Sequence, residues 1–174
     1  MEQKKKPSKE YKNPPTAVDI IIEVYAEKKE ERGRNEIERK SACEDLQGIQ
    51  GIQKILGIVL VKRGKEPFEG RWALPGGFQE WEESLENTAV REAKEETGLD
   101  ITLLGQLSVY SNPGRDPRGP VNGVGYVASA QGVPNGGDDA AEAKIFPLDA
   151  LPKPLAFDHD KRLEEYALWR KAHK

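Results

Sequence analysis

Residues 76–100 read GGFQEWEESLENTAVREAKEETGLD, and the last half of this stretch places Glu92, Glu95 and Glu96 within five positions. Ser84 suits an N-cap and Gly98 suits the left-handed position just past a helix end, so the spacing predicts a helix over 85–97. Leu85, Ala89 and Ala93 recur every four residues and give that helix one small apolar stripe. Glu92 then stands i,i+4 to Glu96 and i,i+3 to Glu95, and like charges at those spacings cost roughly 0.2–0.5 kcal/mol per pair. The helix dipole repels anions at its C-terminal end by about 0.3–1 kcal/mol each at low salt. Both terms oppose stability, and a bound cation would reverse both. The alternative for three glutamates taken alone is a solvated acidic face, partly neutralised by Arg91 and Lys94.

Upstream, LPGGF ends an apolar run in a Pro-Gly-Gly turn, where missing side chains let backbone groups approach a ligand closely. The whole window fits G-x5-E-x7-R-E-U-x-E-E-x-G-U, with U aliphatic. Gly77, Glu83, Arg91, Glu92, Ala93, Glu95, Glu96, Gly98 and Leu99 fill its positions in order. This pattern is the Nudix box, and the chain resembles the Nudix hydrolases. Two positions depart from the usual pattern: Ala93 is small for an aliphatic slot, and Glu82 stands where many members carry Gly.

Composition bounds the rest. A chain of 174 residues suits one domain with a real core. A formal net charge of −3 lacks the basic footprint of a general nucleic-acid binder. The single cysteine, Cys43, excludes an intrachain disulfide, fits a reducing compartment and lies in a charged stretch with no evident partner. The opening MEQKKKPSKE is basic with no apolar run behind it, so a signal peptide is not expected. No apolar stretch reaches the roughly 18 residues of a membrane span. The expectation is a cytoplasmic protein with no membrane or nucleic-acid partner.

Along the chain, residues 1–13 read as a polar tail and residues 14–174 as one domain. Residues 17–25 and 55–63 are β-rich runs, the second apolar enough to be buried on both faces. Between them, residues 26–54 are dense in charge and end in GIQGIQK, which reads as a long excursion from a hairpin. Its functional alternative is a dimer or partner contact. Residues 101–111 and 121–130 read as strands, with a shorter one near 144–146. FPLDALP, at 146–152, reads as a helical turn or tight bend. The final stretch reads as a helix, with Asp158 as a candidate cap and Leu163, Tyr166 and Ala167 as its buried stripe. Strands and helices without regular alternation predict an α+β fold with a mixed sheet. The family resemblance sharpens this to a Nudix-type α/β/α sandwich.

Glutamates bind hard cations through oxygen, and Mg²⁺ is commonly shared between one or two carboxylates and substrate phosphates. The resemblance implies Glu92 and Glu96 as metal ligands, Glu95 as a third or water-mediated one, and the Gly76 carbonyl as a further candidate. It implies that Arg91 pairs with Glu83 and fixes the loop to the helix. The general base lies either within the box, at Glu92 or Glu95, or in the loop GGDDAAEAK, which offers Asp138, Asp139 and Glu142. In Nudix enzymes that cleave nucleoside diphosphate sugars the base often comes from such a loop, which selects Glu142. The alternative for Asp138 and Asp139 is a plain turn, and for Glu142 an exposed side chain.

For substrate binding, NPGRDPRG at 112–119 sets Arg115 and Arg118 around Asp116 in a loop stiffened by Pro113 and Pro117. Arginines give bidentate donors to phosphate, and an aspartate can accept from ribose hydroxyls. The alternative is a charged turn with internal Arg–Asp pairing. Arg63 is either a phosphate ligand or a surface charge. Phe68 and Trp72 either stack on a base or pack the strand edge, with packing the better reading for Trp72. The loop, VKRGKEPFEGRWALPGGF and LAFDHDKRLE all resemble ADP-ribose pyrophosphatases and related Nudix regulators. That resemblance implies a homodimer that uses Mg²⁺, or Mn²⁺ in its place, to split a nucleoside diphosphate sugar, ADP-ribose, into AMP and ribose 5-phosphate. Two other readings stand beside it. One is hydrolysis of another nucleoside diphosphate derivative or of a nucleoside triphosphate. The other is a non-catalytic ADP-ribose sensor, against which stand the intact carboxylate set and a chain that closes on one helix, leaving no winged-helix module.

Overall fold

Strand β1 (Thr16–Tyr25) alternates in a way that sets up two cores. Val18, Ile20, Ile22 and Val24 point to one face of the sheet, and Asp19, Ile21 and Glu23 to the other, as the period of two in a strand requires. The computed structural model describes residues 13–26, 55–137 and 140–173. The excursion at 26–54 beyond its first residue, the tail at 1–13 before its last, and Asp138 and Asp139 lie outside the described residues.

Strand β2 (Ile55–Arg63) is buried from Gly57 to Val61, in keeping with its continuous apolar run. It is followed by the two-residue strand β3 (Trp72–Ala73), helix α1 (Leu85–Thr97), strands β4 (Ile101–Tyr110), β5 (Asn122–Ala130) and β6 (Ala140–Phe146), and helix α2 (His159–Ala172). The sheet runs β3-β2-β1-β5-β4, with β6 along the other edge of β2. β1 and β5 are parallel and the remaining pairs antiparallel, so the sheet is mixed.

One feature of this sheet builds the site. β1 and β2 pair only over Glu23–Tyr25 and Ile55–Ile58, then part. The gap between them takes in residues 72–79. Ala73 and Trp72 pair with Val61 and Lys62 of β2. On the other side, Ile20 and Val18 donate to the carbonyls of Pro75 and Gly77, and Gln79 donates to Thr16. The glycine turn is thus woven into the sheet instead of hanging from it.

Helix α1 spans the predicted residues because its ends are capped as read: Ser84 Oγ accepts from the Asn87 N–H, and Gly98 sits at φ 70°. Its Ala89 and Ala93 are fully buried, and with Leu85 they pack on Val18, Ile20, Ile22, Val59 and Val124. Burying each such large aliphatic chain contributes about 1.5–3 kcal/mol. On the opposite face Tyr166 of α2 packs with Ile21, Ile58, Leu60, Val127 and Leu155. The result is an α/β/α sandwich, an α+β fold.

Helix α2 departs from expectation in two details. Asp158 makes no side-chain cap bond, because its carboxylate is drawn to Arg115 and Arg162. Ala167 is exposed, and the inward face is formed by His159, Arg162, Leu163, Tyr166 and Trp169. His159 and Arg162 are basic side chains, which is why an apolar stripe does not find them. β6 also begins at Ala140, earlier than residue 144, through pairing along β2. None of the helices among the described residues is long and apolar enough to cross a membrane.

Candidate active site

Where β1 and β2 part, a cleft of about 650 Å³ opens over the glycine turn and the last turns of α1. Its acidic wall carries Glu92, Glu95 and Glu96, and Arg63 and Arg118 also line it.

Arg91 organises the acidic wall. Its Nη2 donates to Glu83 Oε1 at 2.8 Å and to the Phe78 carbonyl at 3.0 Å. Its Nη1 donates to Glu92 Oε1 at 2.8 Å and Glu95 Oε2 at 3.0 Å. Glu83 also accepts from the Glu80 N–H and the Thr88 hydroxyl, at 2.8 and 3.0 Å. The Arg91 hydrogen bond, helped by that backbone N–H, holds the Glu83 carboxyl down at about 2. One guanidinium therefore ties the loop before α1 to three carboxylates of the box.

Glu96 is placed differently. Its Oε2 accepts the Gly76 N–H at 2.9 Å, linking the turn to the end of the helix. Burial, with the charges of Glu92 and Asp19 nearby, pushes its carboxyl up to about 7 despite that bond. Burial likewise pushes Glu92 up, against the pull of Arg91. Gly76 is required by the backbone around it, and the bare Gly77 leaves room for the Glu92 carboxylate. A Cβ on Gly76, which has φ 154°, would lie 2.1 Å from the Val18 carbonyl oxygen. A Cβ on Gly77 would lie 2.1 Å from Glu92 Oε1.

Among the described residues, no three His, Cys, Asp or Glu side chains converge as they stand on a point that could hold an ion. The guanidinium of Arg91 lies instead between Glu92 and Glu95. The donor chemistry still fits a hard divalent cation. Glu92 and Glu96 are carboxyl groups whose charged form burial leaves under-neutralised, so a cation would favour it, and they stand beside a turn of two glycines. Glu92, Glu96 and, on release from Arg91, Glu95 are the residues that would hold it.

The other expected residues divide. Arg63 and Arg118 line the cleft, whereas Arg115 and Asp116 stand behind it. Asp116 is buried and grips Arg118: Oδ1 accepts from its backbone N–H at 2.9 Å and its Nε at 3.0 Å, and Oδ2 from its Nη2 at 2.7 Å. Arg115 supports the loop through the Val121 carbonyl and Asp158. Of the readings left open, internal pairing is the one the geometry shows. Trp72 packs edge-on against Phe146 at 4.8 Å, and Phe68 against Phe157 at 4.9 Å; neither lines the cleft. Glu142 is not brought to the cleft lining. It pairs with Lys144 on β6, and that hydrogen bond lowers its pKa.

Sequence reading missed a buried network beneath the cleft. His159 Nδ1 accepts the Leu74 N–H at 2.9 Å, so its ring proton is on Nε2, which faces Asp19 Oδ1 at 3.2 Å. Asp19 Oδ2 also pairs with Arg162, whose guanidinium carbon lies 4.2 Å from the centre of the Tyr110 ring. Burial works against the Asp19 charge, yet Arg162 and His159 hold its carboxyl well below the usual range. The available signal was an aspartate and a glutamate set four apart in the apolar strand DIIIEVY, which places both on one buried face.

Residues 50–166 match the family model of the NUDIX domain. The chain belongs to the Nudix family. It is 48% identical over 120 residues to an ADP-ribose pyrophosphatase of Methanocaldococcus jannaschii, a match covering 68% of this chain and 70% of that protein. It is 35% identical over 115 residues to an ADPR-responsive transcriptional repressor of Acinetobacter baylyi, across 63% of this chain and 46% of the repressor. Among solved structures, the NUDIX domain of Shewanella oneidensis NrtR in complex with ADP ribose superposes with a TM-score of 0.68 at 28% identity, over 92% of this chain and 90% of that one. A MutT/nudix protein of Enterococcus faecalis gives 0.69 at 30% identity, over 97% and 66%. This Nudix chain is a pyrophosphohydrolase of a family that generally uses divalent metal ions.

Proposed function

We propose that this Nudix enzyme hydrolyses the diphosphate of ADP-ribose to AMP and ribose 5-phosphate, with Mg²⁺ as its metal and Mn²⁺ able to replace it. The observation that carries the reading is the opposition of charge within one cleft. Under-neutralised glutamates stand on one wall, and Arg63 and Arg118 belong to the same lining. A diphosphate needs both, cations to its oxygens through the metal and arginine donors to its phosphates. The relative named as an ADP-ribose pyrophosphatase and the ADP-ribose complex of the NrtR domain support the choice of sugar.

When bound, the metal supplies Lewis-acid neutralisation of the diphosphate and lowers the pKa of water. The protein does the rest. Arg91 positions the glutamates and can release Glu92 to ligand duty and Glu95 to the reacting water. Glu95, half-exposed on the cleft wall, is assigned to take the proton from water. Arg63 and Arg118 orient the phosphates, with Asp116 holding Arg118 in place. Glu142 would reach the reaction only by leaving Lys144, so Glu95→Gln is expected to reduce kcat far more than Glu142→Gln. The enzyme acts as a homodimer, and light scattering should give twice the mass of the chain.

The deciding experiment is AMP release from ADP-ribose, nucleoside triphosphates and dinucleotides, each with Mg²⁺, Mn²⁺ and excess chelator. ADP-ribose with Mg²⁺ should give the highest kcat/KM. Tight binding of ADP-ribose without AMP release would favour the sensor reading, to which the repressor similarity points. A triphosphate as the best substrate would overturn the choice of sugar.

A further inference from the structure

Phe157 sits in the connection between β6 and α2, with its backbone at φ 52°, a conformation that residues with side chains rarely adopt. The two residues before it are pinned. Ala156 N–H donates to the Trp72 carbonyl at 2.8 Å, and Leu155 N–H to Asp160 Oδ2 at 3.0 Å. Leu155 and Ala156 are buried, whereas the Phe157 ring is half-buried and lines the cleft. The strained backbone thus delivers an aromatic ring to the site.

Two cations share that ring. The guanidinium carbon of Arg63 lies 4.9 Å from its centroid and that of Arg118 lies 5.4 Å from it, both within the reach of a cation–π contact. Arg118 is also 5.2 Å from the centre of Phe78. Each arginine is held by other bonds as well. Arg118 is gripped by Asp116, while Arg63 donates to the carbonyls of Pro67 at 2.7 Å and Lys65 at 3.4 Å. The bonds to Arg63 orient its charge without neutralising it. Burial and the neighbouring charge of Arg118 both lower the pKa of Arg63, as two cations held side by side require.

Such an arrangement costs energy in the free protein and repays it when an anion with two adjacent charged groups arrives. One edge of the ring packs with Phe68 on the alanine cluster, and the ring also lies within cation–π reach of both arginines. We propose that Phe157 is a positioning residue that holds Arg63 and Arg118 as a paired site for the two phosphates of an organic diphosphate, and so sets preference for a diphosphate over a monophosphate. This rests on the reading of the cleft as a diphosphate site. It adds which residue makes the site selective.

The test is binding of ADP and AMP in excess chelator, where no turnover occurs, to the wild type, Phe157→Tyr and Phe157→Leu. Phe157→Tyr keeps the aromatic face, and Phe157→Leu keeps apolar bulk without it. The wild type and Phe157→Tyr should bind ADP at least about tenfold more tightly than AMP, as one additional charge-assisted contact implies. Phe157→Leu should reduce that ratio to about threefold or less. A ratio unchanged in folded Phe157→Leu overturns the proposal. A second measurement needs no variant: pyrophosphate should raise the Tm of the wild type in chelator more than the same concentration of phosphate, and equal shifts overturn the proposal as well. ADP preferred over AMP by a wild type that fails to cleave ADP-ribose would remove the catalytic reading and leave this one standing.

Discussion

The Leu74 N–H donates to Nδ1 of His159 at 2.9 Å, across 85 residues of chain. This bond fastens the start of the glycine turn to the first turn of α2, and the same imidazole reaches Asp19 on β1. His159→Leu would leave a buried N–H without its acceptor, a loss that typically costs about 1–3 kcal/mol. His159→Asn can offer Oδ1 where Nδ1 was. Denaturant midpoints should therefore fall in the order wild type, Asn, Leu. A leucine variant as stable as wild type would show that the turn does not depend on this bond.

Gly76 and Glu96 make the second fastening of the turn, and here stability and function should separate. Glu96→Gln keeps an oxygen to accept the Gly76 N–H while removing a charge that burial opposes. In chelator its Tm should equal or exceed that of wild type. Its activity should fall by more than about a hundredfold, since even residues that only support metal ligands cost ten- to a hundredfold. A divalent cation at about a hundred times its Kd should stabilise wild type by about 2.7 kcal/mol, and the variant by much less. Wild-type turnover with all metal removed would sink the assignment.

Much of this was legible in the sequence because local signals carried it. Ser84 and Gly98 cap α1 by their own chemistry, and Ala89 and Ala93 face the sheet by spacing alone. The acidic wall followed from the helix that bears it. The base of the cleft was not legible, because Asp19, His159 and Arg162 come from residues about 140 positions apart, a separation set by the sandwich and not by any local pattern. Asp116 shows a third case. Its two readings, ribose contact or arginine partner, use the same atoms, and only its burial beside Arg118 separates them.

Glu82 adopts φ 73° at a position where the family pattern often has glycine. A side chain in the left-handed region costs roughly 1–2 kcal/mol. Glycine relieves that cost but gives back roughly 0.5–1 kcal/mol through its freer unfolded chain. Glu82→Gly should thus stabilise by up to about 1.5 kcal/mol, and Glu82→Val should destabilise, because a branched Cβ tolerates this conformation least. Equal Tm values for all three proteins would mean that the loop relaxes freely and stores no strain.

The residues between β1 and β2 can be tested by shortening them. Tyr25 and Ile55 are register partners at the ends of an antiparallel pair, so a two-residue Asn-Gly-type turn can join the two strands in place of the 29 residues between them. The cleft takes its residues from the opposite ends of these strands, at Ala17–Asp19 and Val61–Glu66. Six residues of strand separate Asp19 from Tyr25, or about 20 Å at the usual rise. A turn installed at Tyr25 should therefore leave the chemistry alone. For a flexible connection, each halving of length returns about 0.6 kcal/mol of closure entropy. Nearly four halvings then predict a gain of about 2 kcal/mol, visible as a higher denaturant midpoint. kcat/KM for ADP-ribose should stay within about threefold of wild type, because every described residue of the cleft lining is kept. Oligomeric state, measured in parallel, separates the remaining possibility. Loss of catalysis together with dissociation would assign these residues to a contact between copies, and loss of catalysis in a folded protein of unchanged size would place them in the active site, against the single-domain reading proposed here.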